Sequence, residues 1–171
     1  MTTNEFVQLL ARFAKEPLPA TVSRHVYLWG QDIELLWSVM PPNIAAHLDL
    51  YILAAELPKR PYAADEARRQ LQGGIRRWLA ELANSGARTV NHQQAIVVSG
   101  VSLLVRYNTA LTDFFQASGD SCLIIFVLPS NEVSIQPARM LPAYVRFDPE
   151  SALRFFQSTL GLTSIVGATV P

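Results

Sequence analysis

The order of hydrophobic signals along the chain predicts an α/β fold of three layers, a mostly parallel sheet with helices on both faces. Short apolar runs of strand type, "HVYLWG", "QAIVVSG" and "SCLIIFVLP", alternate with longer segments whose apolar residues fall at helical spacing. Two of these runs are continuously apolar, as strands covered on both faces are. Strands separated by helices imply right-handed crossovers, which lay the helices over a parallel sheet. A chain of 171 residues is the size of one domain and can bury roughly 70% of the surface its unfolded form exposes, so it needs no metal or disulfide to fold. One domain over 1–171 is expected, with a core from about 20 to 160 and an N-terminal helix over 4–15 packed on it.

Phe6, Leu9, Leu10 and Phe13 form one helical face in the first segment, which Pro17 and Pro19 end. The strand "HVYLWG" follows, then a helix through Ile33, Leu36, Trp37 and Met40 that Pro41 and Pro42 close. "HLDLYILAAELP" starts as a strand and becomes helical before Pro58. Ala64, Ala67, Leu71, Ile75, Trp78 and Leu82 share a face of the longest helix, Ala63 to Ala83. Gly73 and Gly74 inside it cost about 1 kcal/mol each relative to alanine, so close packing or a kink is expected there. Between the two buried strands, "VSLLVRYNTALTDFFQASGD" reads as helical, with Asn108 or Thr109 as cap and Gly119 as stop. The loop "PSNEVSIQPARMLP" leads to a weaker strand, "AYVRF". Asp148, Pro149 and Glu150 open a final helix that Gly161 ends.

Charged residues make up 16% of the chain and the hydrophobic set 50%, against typical values of about 25% and 45–50%. The deficit lies in surface charge, which predicts some apolar exterior and hence a contact surface for a protein partner or a second copy. The competing expectation is a surface covered by Ser, Thr, Gln and Asn. Fourteen basic and fourteen acidic residues cancel, so the chain lacks the long-range field of most binders of nucleic acid or anionic membranes. No stretch approaches the roughly 20 apolar residues of a membrane span. With no cleavable leader in the first residues, the cytoplasm is the expected compartment. The single cysteine, Cys122, excludes an internal disulfide and reads as a small residue of a buried strand.

In such sheets ligands sit beyond the carboxyl ends of the strands, after Leu28, Val98 and Leu128 here. The first of these segments is Gly30-Gln31-Asp32-Ile33-Glu34. A phosphate loop needs glycines that turn successive N–H groups inward, a lysine for the outer phosphates and a hydroxyl for magnesium. None of these follows Gly30, and Asp32 with Glu34 suit a helix start instead. The second is Ser99-Gly100, where a nucleotide hydrolase would carry a metal-binding acid. The third is Pro129-Ser130-Asn131-Glu132, polar groups that either contact a ligand or form an ordinary turn. An atypical nucleotide site would draw on Gly30, Gln31, Ser99 and Asn131, with Ser130 beside them. Ser99 lacks the leading glycine of a nucleophile elbow, and no catalytic set emerges.

Arg68, Arg69, Arg76 and Arg77 are spaced seven and eight apart on the long helix, a pattern that either grips phosphates of DNA or RNA or forms a solvated face paired with Asp65, Glu66 and Glu81. His25, His47 and His92 stand 22 and 45 residues apart, without metal-ligand spacing, and no cofactor is implied. The aromatics Trp29, Trp37, Trp78, Phe114, Phe115, Phe155 and Phe156 fall on helix or strand faces and suit a core or an interface.

From the strand-glycine-helix at Val26 to Trp37, through "LDLYILAAELPKRPYAADEARRQL", to "SLLVRY" and "LIIFVLP", the order of pieces resembles a P-loop ATPase domain of the AAA-related kind. It is similar in size and order to the small P-loop-related proteins of BREX-type phage-defence operons, over roughly residues 20 to 135. Gly30 aligns with the first glycine of the family's loop, whereas the second glycine, the lysine and the hydroxyl have no counterpart. Ser99 stands in place of the acid. The resemblance therefore implies a degenerate relative that keeps the scaffold without hydrolysis and assembles with other defence or DNA-associated proteins. A non-catalytic assembly protein is the first expectation, a nucleic-acid contact module using the arginines the second, and an atypical nucleotide-binding protein the third.

Overall fold

The computed structural model describes residues 1–19, 25–57, 61–85, 93–128, 149–160 and 165–166. In chain order the elements are α1 (Thr3–Phe13), β1 (Val26–Trp29), α2 (Ile33–Val39), β2 (Ala45–Asp49), α3 (Leu50–Ala55), α4 (Ala64–Asn84), β3 (Gln94–Ser99), α5 (Ser102–Arg106), α6 (Thr112–Ala117), β4 (Cys122–Val127), α7 (Pro149–Leu160) and β5 (Ile165–Val166). Every strand pair is parallel, in the order β2-β3-β4-β1-β5. This is neither of the two common doubly wound orders, 3-2-1-4-5-6 and 2-1-3-4-5. The two-residue β5 was not visible as a strand in the hydrophobic pattern.

Strand side chains alternate between two cores, as period-two geometry requires. Val26, Leu28, Leu48, Ile96, Val98, Ile124 and Phe126 point to one face, where residues of α3 to α7 cover them. Tyr27, Trp29, Ala95, Val97, Leu123, Ile125 and Val127 point to the other, under Phe6, Leu10 and Phe13 of α1 and Leu36 of α2. The three layers expected from the sequence are thus α1 and α2, the sheet, and the larger helical layer. Phe126 anchors that layer, with the rings of Phe114 and Phe156 at 5.0 and 4.9 Å. Tertiary burial rather than helix propensity fixes the short elements, since isolated helices under about 12 residues are marginal in water.

Local signals account for the element ends. Thr2 and Glu5 form a capping box at the start of α1, and the bond to Thr2 holds the Glu5 carboxyl below its ordinary value. Gly74 is the closely packed glycine of α4: a Cβ there would meet Leu53 and Leu57 at 3.4 Å, whereas nothing lies within 4 Å of one at Gly73. The expected cap at Asn108 or Thr109 is wrong. Asn108 has φ 46° and ends α5 instead: its N–H donates to the Val105 carbonyl at 3.1 Å, and the Thr109 N–H to that of Leu104 at 2.8 Å. This is a Schellman ending, with asparagine supplying the left-handed residue. The helix α6 begins three residues later, with Leu111 at its cap. Thr109 itself is fully buried. The expected strand "AYVRF", the loop before it, the cap Asp148 and the stop Gly161 lie outside the described residues.

Candidate functional site at the carboxyl edge and the β2 edge

Because all strands run the same way, their carboxyl ends share one edge of the sheet. The chain leaves β1 into α2 on the Phe6 side, while α7, the next described helix after β4, lies on the Phe126 side. The neighbours β1 and β4 continue to strands at opposite ends of the sheet, β1 to β2 and β4, among the described strands, to β5, and a crevice at such a switch point is the usual place for a ligand in an open α/β sheet. Gly30 stands on one side of that crevice and Leu128 on the other. Asn131 and Ser130 lie outside the described residues.

The Gly30 turn is occupied by its own groups. Asp32 caps α2 by accepting from the Glu34 N–H at 3.0 Å, and the Trp29 indole donates to the Asp32 carbonyl at 2.9 Å. The Gln31 amide donates to the Thr3 hydroxyl at 3.1 Å, tying the turn to α1. Gly100, and not Gly30, has a positive φ. A helix of seven residues opened by two carboxylates, Asp32 and Glu34, offers phosphate little attraction.

Ser99 lies on the same edge, but β4 separates it from β1. It hydrogen-bonds His47 of β2, Oγ to Nε2 at 2.8 Å. The Trp37 ring packs edge-on against that imidazole at 5.3 Å. Sequence spacing could not bring His47 and Ser99 together; the β2–β3 register, His47 beside Val97 and Asp49 beside Ser99, does. Serine and histidine at this distance have the separation of a nucleophile and its base, yet a base must in turn be oriented by a third group. Among the described residues no carboxylate hydrogen-bonds this imidazole, and Asp49 is committed to capping α3 through the Tyr51 and Ile52 N–H groups. Beside them Gly100 has φ 70°, and a Cβ on it would sit 2.9 Å from the Tyr51 ring. The Tyr51 hydroxyl bonds that of Ser102. The end of β3 is closed by this tyrosine.

The four arginines of α4 do not form one stripe. At 100° per residue, Arg68 and Arg77 project to opposite flanks of the helix while Arg69 and Arg76 lie near its outer crest. Arg68 pairs with Asp65 at 3.0 Å. Arg76 reaches Asp113 of α6 at 3.0 and 3.4 Å, and this hydrogen bond raises its pKa. Arg69 and Arg77 are exposed and take part in no ion pair among the described residues. His25 is buried at the start of β1 with its Nδ1 3.4 Å from the Tyr27 hydroxyl; burial pushes its pKa down. No group of three or more potential metal ligands occurs among the described residues, and none of their helices is long and apolar enough to cross a membrane.

Sequence reasoning missed the open edge of the sheet. β2 pairs with β3 on one side, and among the described residues nothing pairs with it on the other. Beside it runs a groove between α3 and α4: a cavity of about 140 Å³ lined by His47, Leu48, Ile52 and Trp78 adjoins one of about 210 Å³ lined by Leu57, Gly74, Arg77 and Glu81. Leu53, Glu56 and Trp78 line both. Ile52 is 59% exposed at its rim. Cys122 is half-buried and faces a different cavity, of about 240 Å³, with Leu79, Leu82 and Ile96. No protein-family model, curated protein or solved structure matches the chain.

Proposed function

We propose that the chain is a non-catalytic, P-loop-like accessory or assembly protein that acts through protein contacts, in a cytoplasmic phage-defence or other DNA-associated complex of the kind its resemblance implies. The observation that carries this reading is the open β2 edge running into the Ile52–Trp78 groove. A strand with unpaired N–H and C=O groups is a template for another strand. Tryptophan and arginine, here Trp78 and Arg77, are the residue types that most often anchor protein interfaces. The Gly30 turn supports the same reading from the other side, because the Trp29 and Gln31 side-chain donors are bonded within the fold and two carboxylates, Asp32 and Glu34, open the helix that follows.

Two arms test it. Tagged protein isolated from its own cells should carry a stoichiometric protein partner or a second copy, and Ile52→Glu should release it. Magnesium with ATP or GTP should leave thermal stability unchanged, whereas a ligand at 100 times its Kd would add about 2.7 kcal/mol. A nucleotide-dependent stabilisation would transfer the function to the atypical nucleotide site. DNA binding that falls steeply with salt and is lost in Arg69→Ala with Arg76→Ala would transfer it to α4.

A further inference from the structure

We propose that the open edge of β2 pairs antiparallel with the same edge of a second copy, about a twofold axis at His47, so that two five-stranded sheets become one. This rests on the docking reading above and names the occupant of its surface.

The argument begins with the backbone. The Ala95 N–H donates to the Ile44 carbonyl at 2.8 Å, and the parallel register sets Ala45 beside Ala95 and His47 beside Val97. In a parallel ladder this phase turns the N–H and C=O of residues 44, 46 and 48 towards β3. Those of Ala45 and His47 face outward, and both residues are exposed. Natural sheets blunt a free edge with lysine, proline, a bulge or a covering element. "AAHLD" has neither lysine nor proline, its one charge, Asp49, is turned to capping α3, and its register runs without a bulge.

A twofold at His47 satisfies the outward groups symmetrically. His47 pairs with itself, exchanging N–H and C=O, and Ala45 meets Asp49, so small side chains stand opposite larger ones. An isologous contact of this kind closes as a dimer rather than growing into a fibre. On the face of α3 and α4 the groove lined by His47, Ile52 and Trp78 borders this edge, so the partner strand lies against its rim. The rim is exposed and carries both signs, Glu56 and Glu81 with Arg77, so one copy's arginine can oppose the other's carboxylates. With a formal net charge of zero no long-range repulsion holds two copies apart.

The test is sedimentation of the full chain from low to high micromolar concentration, with three variants. The wild type should reach twice the chain mass. His47→Pro removes an N–H that β3 does not use, together with the imidazole that bonds Ser99 and meets Trp37, so it should melt at a lower temperature, still cooperatively, and sediment as a monomer. Ile52→Glu, which alters an exposed side chain, should also be monomeric and guards against misfolding of the proline variant. Leu35→Glu, on the exposed side of α2, should remain dimeric. A wild type that stays monomeric at high micromolar concentration overturns the proposal, as does a dimer that survives both His47→Pro and Ile52→Glu. A strict monomer that still co-purifies with another protein would overturn the second copy as occupant while leaving the docking reading standing.

Discussion

Gly100 is the residue whose backbone most constrains the chain. Its positive φ costs an L-residue about 1–2 kcal/mol, and a methyl group there would press on the Tyr51 ring at 2.9 Å. Gly100→Ala should therefore lower stability to denaturant by at least about 1 kcal/mol, and combined with Tyr51→Ala the two losses should be less than additive; equal stability of Gly100→Ala and wild type would refute the assigned geometry. The two glycines of α4 predict opposite sensitivities. Gly73→Ala fills open space and should stabilise by up to about 1 kcal/mol, whereas at Gly74 the contact with Leu53 and Leu57 offsets that gain. His25 makes stability depend on pH. Its imidazole is held below the ordinary value by burial, so the unfolded chain takes up the proton first as pH falls. The stabilisation is complete above the unfolded value of about 6.5 and is lost as pH drops through it towards the lower folded value. Melting temperatures measured between neutral and mildly acidic pH should fall less steeply in His25→Gln than in wild type.

At the scale of elements, the positions of β1, β3, β4 and α4 were legible because each carries a local periodicity, whereas β2, which runs straight into α3, was legible only as the strand-like start of a helical segment. "SCLIIFVLP" is apolar on both alternating sets because both faces of β4 are covered. What failed were signals with two local meanings. Asn108 favours a helix cap and also tolerates the left-handed conformation, and burial of Thr109 decided for the second. The arginines looked stacked from intervals of seven and eight, yet the interval of nine between Arg68 and Arg77 spreads them across the helix. The pairing of His47 with Ser99 was illegible because register is a tertiary property, set by which residues of β2 and β3 lie abreast. The central element contact is Phe126 between Phe114 and Phe156. Phe126→Ala should cost about 3–5 kcal/mol in chemical denaturation, while Arg76→Ala, which removes an exposed arginine from an Asp113 side chain only 11% exposed, should cost about 1–2 kcal/mol. A large loss at Arg76 would show that α4 and α6 are held by that pair rather than by the core.

At the scale of the molecule, one parallel sheet presents two functional opportunities, the crevice between β1 and β4 and the open edge of β2. At the first, side-chain and backbone groups are bonded among themselves, as with Asp32, Trp29 and Gln31. At the second, Ala45 and His47 turn backbone groups outward beside a groove of mixed lining, Ile52, Leu53 and Trp78 with Glu56 and Arg77. Low charge content predicted a contact surface somewhere on the chain, but composition cannot say where such a surface would lie, and the free edge of β2 is visible only in the strand order. The contrast between crevice and edge is testable in a single measurement, residue-resolved amide hydrogen exchange as the protein is concentrated, with and without magnesium ATP. Exchange at Ala45 and His47 should slow as concentration rises while Gly30, Gln31 and Asp32 remain indifferent to the nucleotide. Rapid exchange at Ala45 and His47 at every concentration, together with nucleotide-dependent protection at Gly30 to Asp32, would contradict docking through the β2 edge and assign the chain to nucleotide binding.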